Sequence, residues 1–113
     1  MNQQIWQIER HMWTGGVEAF QNHLADLCVM AFPAPIGLCF GQKVIDLVRE
    51  APRWNDVAMS EQTTVSPSQG VIVLAYRAEG RRDGDVYRAY CTSTYAEKQG
   101  AWKIVQHQQT PLN

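Results

Sequence analysis

Few side chains in this sequence could move a proton or read a ligand, and the densest group is QHQQT, residues 106–110. An amide does not titrate near neutral pH, so Gln106 and Gln108 suit hydrogen-bond recognition rather than acid–base work, while Gln109 alternates to the outer face with His107. His107 is the one member able to carry a proton there. Glu61 and Asp26 are lone carboxylates in strand-like stretches, and each would become a base if burial raised its pKa, with a tyrosine as the acid. No pair among His11, His23 and His107 has metal-ligand spacing, and no carboxylate joins them on one element, so neither a metal nor a cofactor is expected. Cys28, Cys39 and Cys91 are an odd count without CxxC spacing, which suits reduced, buried thiols. No histidine stands close enough in the pattern to activate one of them.

The elements that would position these groups follow from periodicity. Ile5, Ile8 and Met12 recur at helical spacing beside Trp6 and Trp13, with Glu9 and Arg10 on the other side, so residues 2–13 read as an amphipathic helix. TGG breaks it, and a short helix follows from Val17 to His23 with Glu18 in its first turn. LCVMAF is a strand closed by the turn PAPIG. GQKVIDLVRE buries Val44, Ile45 and Val48 as a third helix, which Pro52 ends. Four strands then run DVAMSEQTTV, VIVLAYRAE, DVYRAYCTSTYAE and AWKIVQHQQT, separated by the turn signals SPSQG, GRRDG and KQG. Helices first and a meandering antiparallel sheet afterwards is an α+β plan, a single domain over 1–113.

Strict alternation sorts the strands into two faces. On the last strand Trp102, Ile104, Gln106 and Gln108 share the face given to the helices. Tyr87, Ala89, Cys91, Ser93 and Tyr95 match them on the strand before, and Ile72, Leu74 and Tyr76 on the one before that. This inner face grades from apolar to polar, as a small-molecule cleft requires. Its expected wall is Trp13, Trp54, Tyr76, Tyr95 and Trp102; its hydrogen-bonding floor or rim is Gln106 and Gln108, with Ser93 nearby. Both glutamines would otherwise sit at the rim and bond to water. Each tryptophan could equally be core bulk. Glu61 falls on the inner face only if the register of a strand containing SEQTT holds. The outer face carries Val73, Ala75, Tyr90, Val105 and His107, too apolar for a face left in water, so a homodimer through it is expected.

A net charge of −1 gives no electrostatic reason to bind nucleic acid or an anionic membrane. The start MNQQIWQIER lacks the basic and apolar runs of a signal peptide, and LCVMAFPAPIGLCF is too short and too broken by proline and glycine to span a bilayer. A cytoplasmic protein is expected.

The order of elements, the strand ending in FPAPIG, the start MWTGGVEAF and the tail CTSTYAEKQGAWKIVQHQQTP resemble the nuclear transport factor 2-like superfamily over nearly the whole chain. They are most similar to its SnoaL-like branch. That resemblance implies a cone-shaped curved antiparallel sheet packed on three helices of the N-terminal half (a cystatin-like fold), a pocket at the open end and dimerisation through the outer face. The superfamily holds isomerases, dehydratases, cyclases, non-catalytic subunits and oligomerisation modules, so fold alone brings no function. The isomerase base would fall at Ala31-Phe32-Pro33, where there is no carboxylate, and no tyrosine stands on the first helix. The expected function is therefore small-molecule binding in an aromatic-rich pocket. The alternatives are an enzyme of the isomerase, dehydratase or polyketide-cyclase kind using Glu61 or Asp26, or a dimeric interaction module without ligand. An ionisable group at the pocket's centre would favour the enzyme.

Overall fold

The computed structural model describes residues 2–112, so Met1 and Asn113 of the 1–113 span lie outside the described residues. Three helices, α1 (Asn2–Thr14), α2 (Val17–His23) and α3 (Gln42–Glu50), share the N-terminal half with two of the six strands, and four strands follow. The strands are β1 (Leu24–Phe32), β2 (Gly37–Phe40), β3 (Asp56–Ser68), β4 (Val71–Arg82), β5 (Asp85–Lys98) and β6 (Ala101–Pro111). They form one curved, open sheet in the order β2-β1-β6-β5-β4-β3, and the α+β plan read from the sequence holds.

Alternation places the core as expected on the two central strands. Ile72, Leu74, Tyr76 and Ala78 of β4 and Ala89, Cys91, Ser93 and Tyr95 of β5 are buried, and the two sets meet in register across the sheet. The helices close over this face. α3 contributes Val44, Ile45 and Val48, and α1 contributes Ile5, Met12 and Trp13.

Two features lie outside a simple meander. GLCF is a strand of its own, β2, pairing with β1 so that Val29 faces Phe40 and Ala31 faces Leu38. And β1 lies parallel to β6, with Val29 beside Gln106 and Ala31 beside Gln108. A parallel pair needs a long connection, here residues 33–100, so no local pattern announces it.

β6 does not keep its alternation. Tyr95 pairs with Ile104 but Thr94 pairs with Gln106, so Val105 is an extra residue, a β-bulge. One inserted residue exchanges the faces of everything after it. Ile104 is buried, and so is His107, not Gln106. The inward assignment of Gln106 and Gln108 and the outward assignment of His107 are both corrected by this residue. Asp26 is corrected the same way: β1 is irregular between Leu24 and Val29, Ala25 and Cys28 turn inward, and Asp26 is exposed. Glu61 sits in a break of the β3–β4 register with φ of 53° and is exposed, so it does not reach the inner face.

Candidate functional site

The centre of the inner face is a carboxylate. Glu9 is 1% exposed, and it stands four residues after Ile5 and three before Met12, on the buried stripe of α1 rather than on its solvent side. A buried charge is costly unless hydrogen bonds replace water, and here three hydroxyls do so. Tyr95 Oη donates to Glu9 Oε1 at 2.7 Å, Ser93 Oγ donates to Oε2 at 2.6 Å, and Tyr76 Oη also donates to Oε2. Trp13 Nε1 in turn donates to Tyr76 Oη at 3.0 Å, which ties α1 to β4 twice. Every partner is a donor, so the site is built for the ionised carboxylate.

Burial pushes the Glu9 pKa up, but contact with His107 and the Ser93 and Tyr76 hydrogen bonds outweigh it and hold the carboxyl below its ordinary value. Burial first, and then the charge of Glu9, raise Tyr76 and Tyr95 well above the usual phenol value. Both remain protonated donors. Cys91, buried beside the same charge, is pushed up to about 12, so it is no nucleophile.

His107 extends the network. Its Nδ1 lies 2.7 Å from Ser93 Oγ and 3.5 Å from Glu9 Oε2. Ser93 has one proton and gives it to Glu9, so it must accept from His107, and Nδ1 carries a hydrogen. The other ring nitrogen, Nε2, is 3.1 Å from Gln109 Nε2, while Gln109 Oε1 accepts from Tyr87 Oη at 2.9 Å. In that amide orientation the Gln109 amide donates to the ring nitrogen Nε2. Protonating Nε2 requires Gln109 to turn its oxygen toward the ring, which reverses the bond to Tyr87. Histidine charge, amide orientation and tyrosine hydroxyl are thus one coupled set. Ser93 is fully buried with its proton and its acceptor both engaged, so this chain of groups is not a serine nucleophile with its base.

The network opens onto a cavity of about 390 Å³ that Glu9, His107 and Gln109 line at one end, within the usual range for small-molecule sites. Met12, Phe20, Met30, Phe32, Val48 and Ile104 supply apolar wall. Trp13, Trp54 and Tyr87 form an aromatic side: Trp54 and Tyr87 stack with centroids 5.7 Å apart and planes 12° apart, and Trp13 leans on both. Gly80 makes room for them, since a Cβ there would stand 3.0 Å from Trp54 Cδ2 and 3.2 Å from Trp13 Cζ3. Ala34, Ile36 and Pro52 at the rim are exposed.

Of the residues singled out from sequence, Trp13 and Trp54 line this cavity. Tyr76, Ser93 and Tyr95 lie behind it, buried against Glu9. Trp102 packs on the core as a half-buried residue and is not part of the lining. Gln106 and Gln108 face outward, where Thr94 and Thr92 donate to their side-chain oxygens at 2.9 and 3.1 Å. Glu9, Tyr87 and Gln109 were missed. The signal for Glu9 was available, because it sits at the i+4 position of a stripe that begins at Ile5.

No family model matches the chain, and no curated protein does. Solved structures do. A ketosteroid isomerase-like protein from Parabacteroides distasonis superposes with a TM-score of 0.83 at 17% identity, covering 96% of this chain and 86% of that one. The association domain of C. elegans CaMKII gives 0.76 at 15% identity, covering 96% and 90%. An NTF2-like protein of unknown function in nutrient uptake from Rhodospirillum rubrum gives 0.75 at 20% identity, covering 91% and 90%. At such identities the likeness concerns architecture. The chain has the nuclear transport factor 2-like, cystatin-like fold.

Proposed function

We propose that the protein binds a small, largely apolar molecule in this cavity, between the aromatic side formed by Trp13, Trp54 and Tyr87 and a polar end formed by His107 and Gln109. The observation behind this reading is the graded lining: apolar and aromatic over most of the wall, with hydrogen-bonding groups only where the buried network surfaces. Glu9 is held by three hydroxyl donors and orients His107 through Ser93. We propose the SnoaL-like branch for the chain on the same grounds.

A thermal-shift screen of small aromatic and alicyclic compounds tests it. A ligand at one hundred times its dissociation constant adds about 2.7 kcal/mol, and its binding should quench tryptophan fluorescence in the wild type more than in Trp54→Phe. Hits with equal quenching in both would place the ligand elsewhere and sink the proposal.

One observation favours an enzymatic reading: His107 lines the cavity with a carboxylate behind it, and its Nε2 becomes available as a base when a ligand displaces the Gln109 amide. Proton abstraction next to a carbonyl, as in isomerases, is the reaction such a group performs. Incubating a bound ketone in deuterium oxide should then exchange its acidic hydrogens faster with wild type than with His107→Gln. Equal rates would remove this reading and leave binding.

Self-association is proposed for the outer face. Leu27 is 88% exposed and Leu38 76%, and Val29 and Phe40 lie beside them on β1 and β2. Together with Val73, Ala75, Tyr90 and Val105 they leave an apolar expanse on that side. His107 is no part of it. Light scattering coupled to size exclusion should give twice the chain mass, falling to a monomer in Leu38→Asp/Phe40→Asp; a wild-type monomer at micromolar concentration would end the proposal.

A further inference from the structure

Two arginines at the rim of the cavity lack an anionic partner. Among the described residues the ion pairs are Arg49–Asp46, Arg81–Glu79, Arg88–Glu79 and His107–Glu9, and neither Arg53 nor Arg82 belongs to one. Both nevertheless line the same cavity.

Each is held in place by carbonyl and aromatic-ring contacts rather than by an ion pair. Arg53 Nε donates to Gly15 O at 2.7 Å and its Nη2 to Met12 O and to Trp13 O, the latter at 3.1 Å. These bonds engage the last carbonyls of α1. Among the described residues, Nη1 has no protein acceptor. The same guanidinium lies 5.3 Å from the centroid of the Phe20 ring. Arg82 lies over Trp54, 4.1 Å from the ring centroid, and its Nη1 donates to Pro52 O at 3.0 Å. On its outward side Arg82 shares a shallow surface with Asp56, Asp83 and Asp85, apart from the cavity. The two cations also bear on one another: burial, and then the charge of Arg82, lower the Arg53 pKa.

Two like charges beside an apolar cavity are a cost to the empty protein that an anion would relieve. At the other end of the cavity stands Glu9, which repels one. The cavity is thus lined by two half-exposed cations and a buried carboxylate, so an anion is favoured beside the arginines and away from Glu9. We propose that the ligand is a planar apolar acid, a carboxylate carried on an aromatic or alicyclic body, with its carboxylate at Arg53 and Arg82 and its uncharged body against Trp54 and Tyr87 toward His107. Arginine's planar fork matches a carboxylate. With only two cations, one of them already tied to α1, a monoanion fits the charge better than a phosphate dianion. The stack of Arg82 on Trp54 sets that charge directly above the aromatic side on which a flat ring would lie.

This inference rests on the cavity reading above, and paired probes separate the two. Binding of naphthalene-2-carboxylate and of naphthalene-2-carboxamide is measured by calorimetry on the intact protein at low and at high salt. The acid should bind at least about tenfold tighter than the amide, as expected for a hydrogen bond to a charged group, and its advantage should shrink with salt. Arg82→Gln should bring the ratio of acid to amide affinity close to one, whatever the change in amide affinity from losing the stack on Trp54. Arg53→Lys keeps the charge but loses the fork, and should weaken the acid selectively. Equal affinities for acid and amide would overturn the carboxylate assignment and leave the apolar cavity standing. Binding of neither compound would overturn both. An acid preference that survives in Arg82→Gln and in Arg53→Lys would place the anion elsewhere and likewise overturn the assignment.

Discussion

Two rungs of the β5–β6 ladder lie side by side and have opposite fates. Ser93 pairs with His107 and Thr94 pairs with Gln106, and in each rung a hydroxyl touches a nitrogen-bearing side chain across the strands, at 2.7 and 2.9 Å. The first points inward, is buried, and ends on the Glu9 carboxylate. The second points outward, is half-buried, and belongs to a ladder with Thr92 and Gln108. Similar chemistry therefore carries different weight. Inside, each group replaces water for a charge and cannot be removed alone; outside, water can replace either partner.

The largest test of that contrast is Glu9→Gln. The amide offers one acceptor oxygen to three hydroxyl donors and sets an NH2 against at least one of them. Losing one partner of a buried charged network costs about 3 kcal/mol, and a melting temperature lowered by roughly 10 °C or more is expected. A loss within experimental error would mean the network does not hold the helix to the sheet. Ser93→Ala comes next, at about 2 kcal/mol, because it strips a donor from Glu9 and an acceptor from His107 together. A double-mutant cycle of Ser93→Ala with His107→Ala should be strongly non-additive, whereas Thr94→Ala with Gln106→Ala should be additive.

Acid provides a subtler probe. Because the folded Glu9 carboxyl is held below its ordinary value, its contribution is fully present above about pH 4.3 and is lost as pH falls through the folded pKa. Wild type should therefore lose stability faster than Glu9→Gln in melts taken from pH 5 down to pH 3. Glu79, also lowered by Arg81 and Arg88, is common to both proteins and cancels. Parallel curves would contradict the lowered pKa. The smallest effect belongs to the outer rungs: Gln106→Ala and Gln108→Ala should each change stability by no more than about 0.5 kcal/mol and leave ligand affinity unchanged.

Much of the architecture was legible from the chain because it is locally encoded. The helix at Val17–His23, the buried face of α3 and the alternation of β4 and β5 follow from spacing over a few residues, and the observed elements match. The pairing of β1 with β6 was not, since its partners are some eighty residues apart and no short pattern encodes them. The aromatic side of the cavity was half visible. Trp13 and Trp54 were marked by their bulk, while Tyr87 and Gln109 became relevant only through Gly80, the stack and the hydrogen bond between them.

QHQQT shows where local encoding stops. Local spacing shows that a strand ends there, that its side chains alternate, and that only His107 among them is a residue type able to carry a proton near neutral pH. It did not determine which of them faces the cavity. That was decided by one extra residue, Val105, opposite the step from Tyr95 to Thr94. A bulge is set by how two strands and the parallel neighbour β1 fit together around a buried carboxylate, a property of the folded sheet rather than of any window of sequence. The same holds for Glu9: its helix position was readable, but its role came from three hydroxyls on two distant strands that only the tertiary fold brings to it.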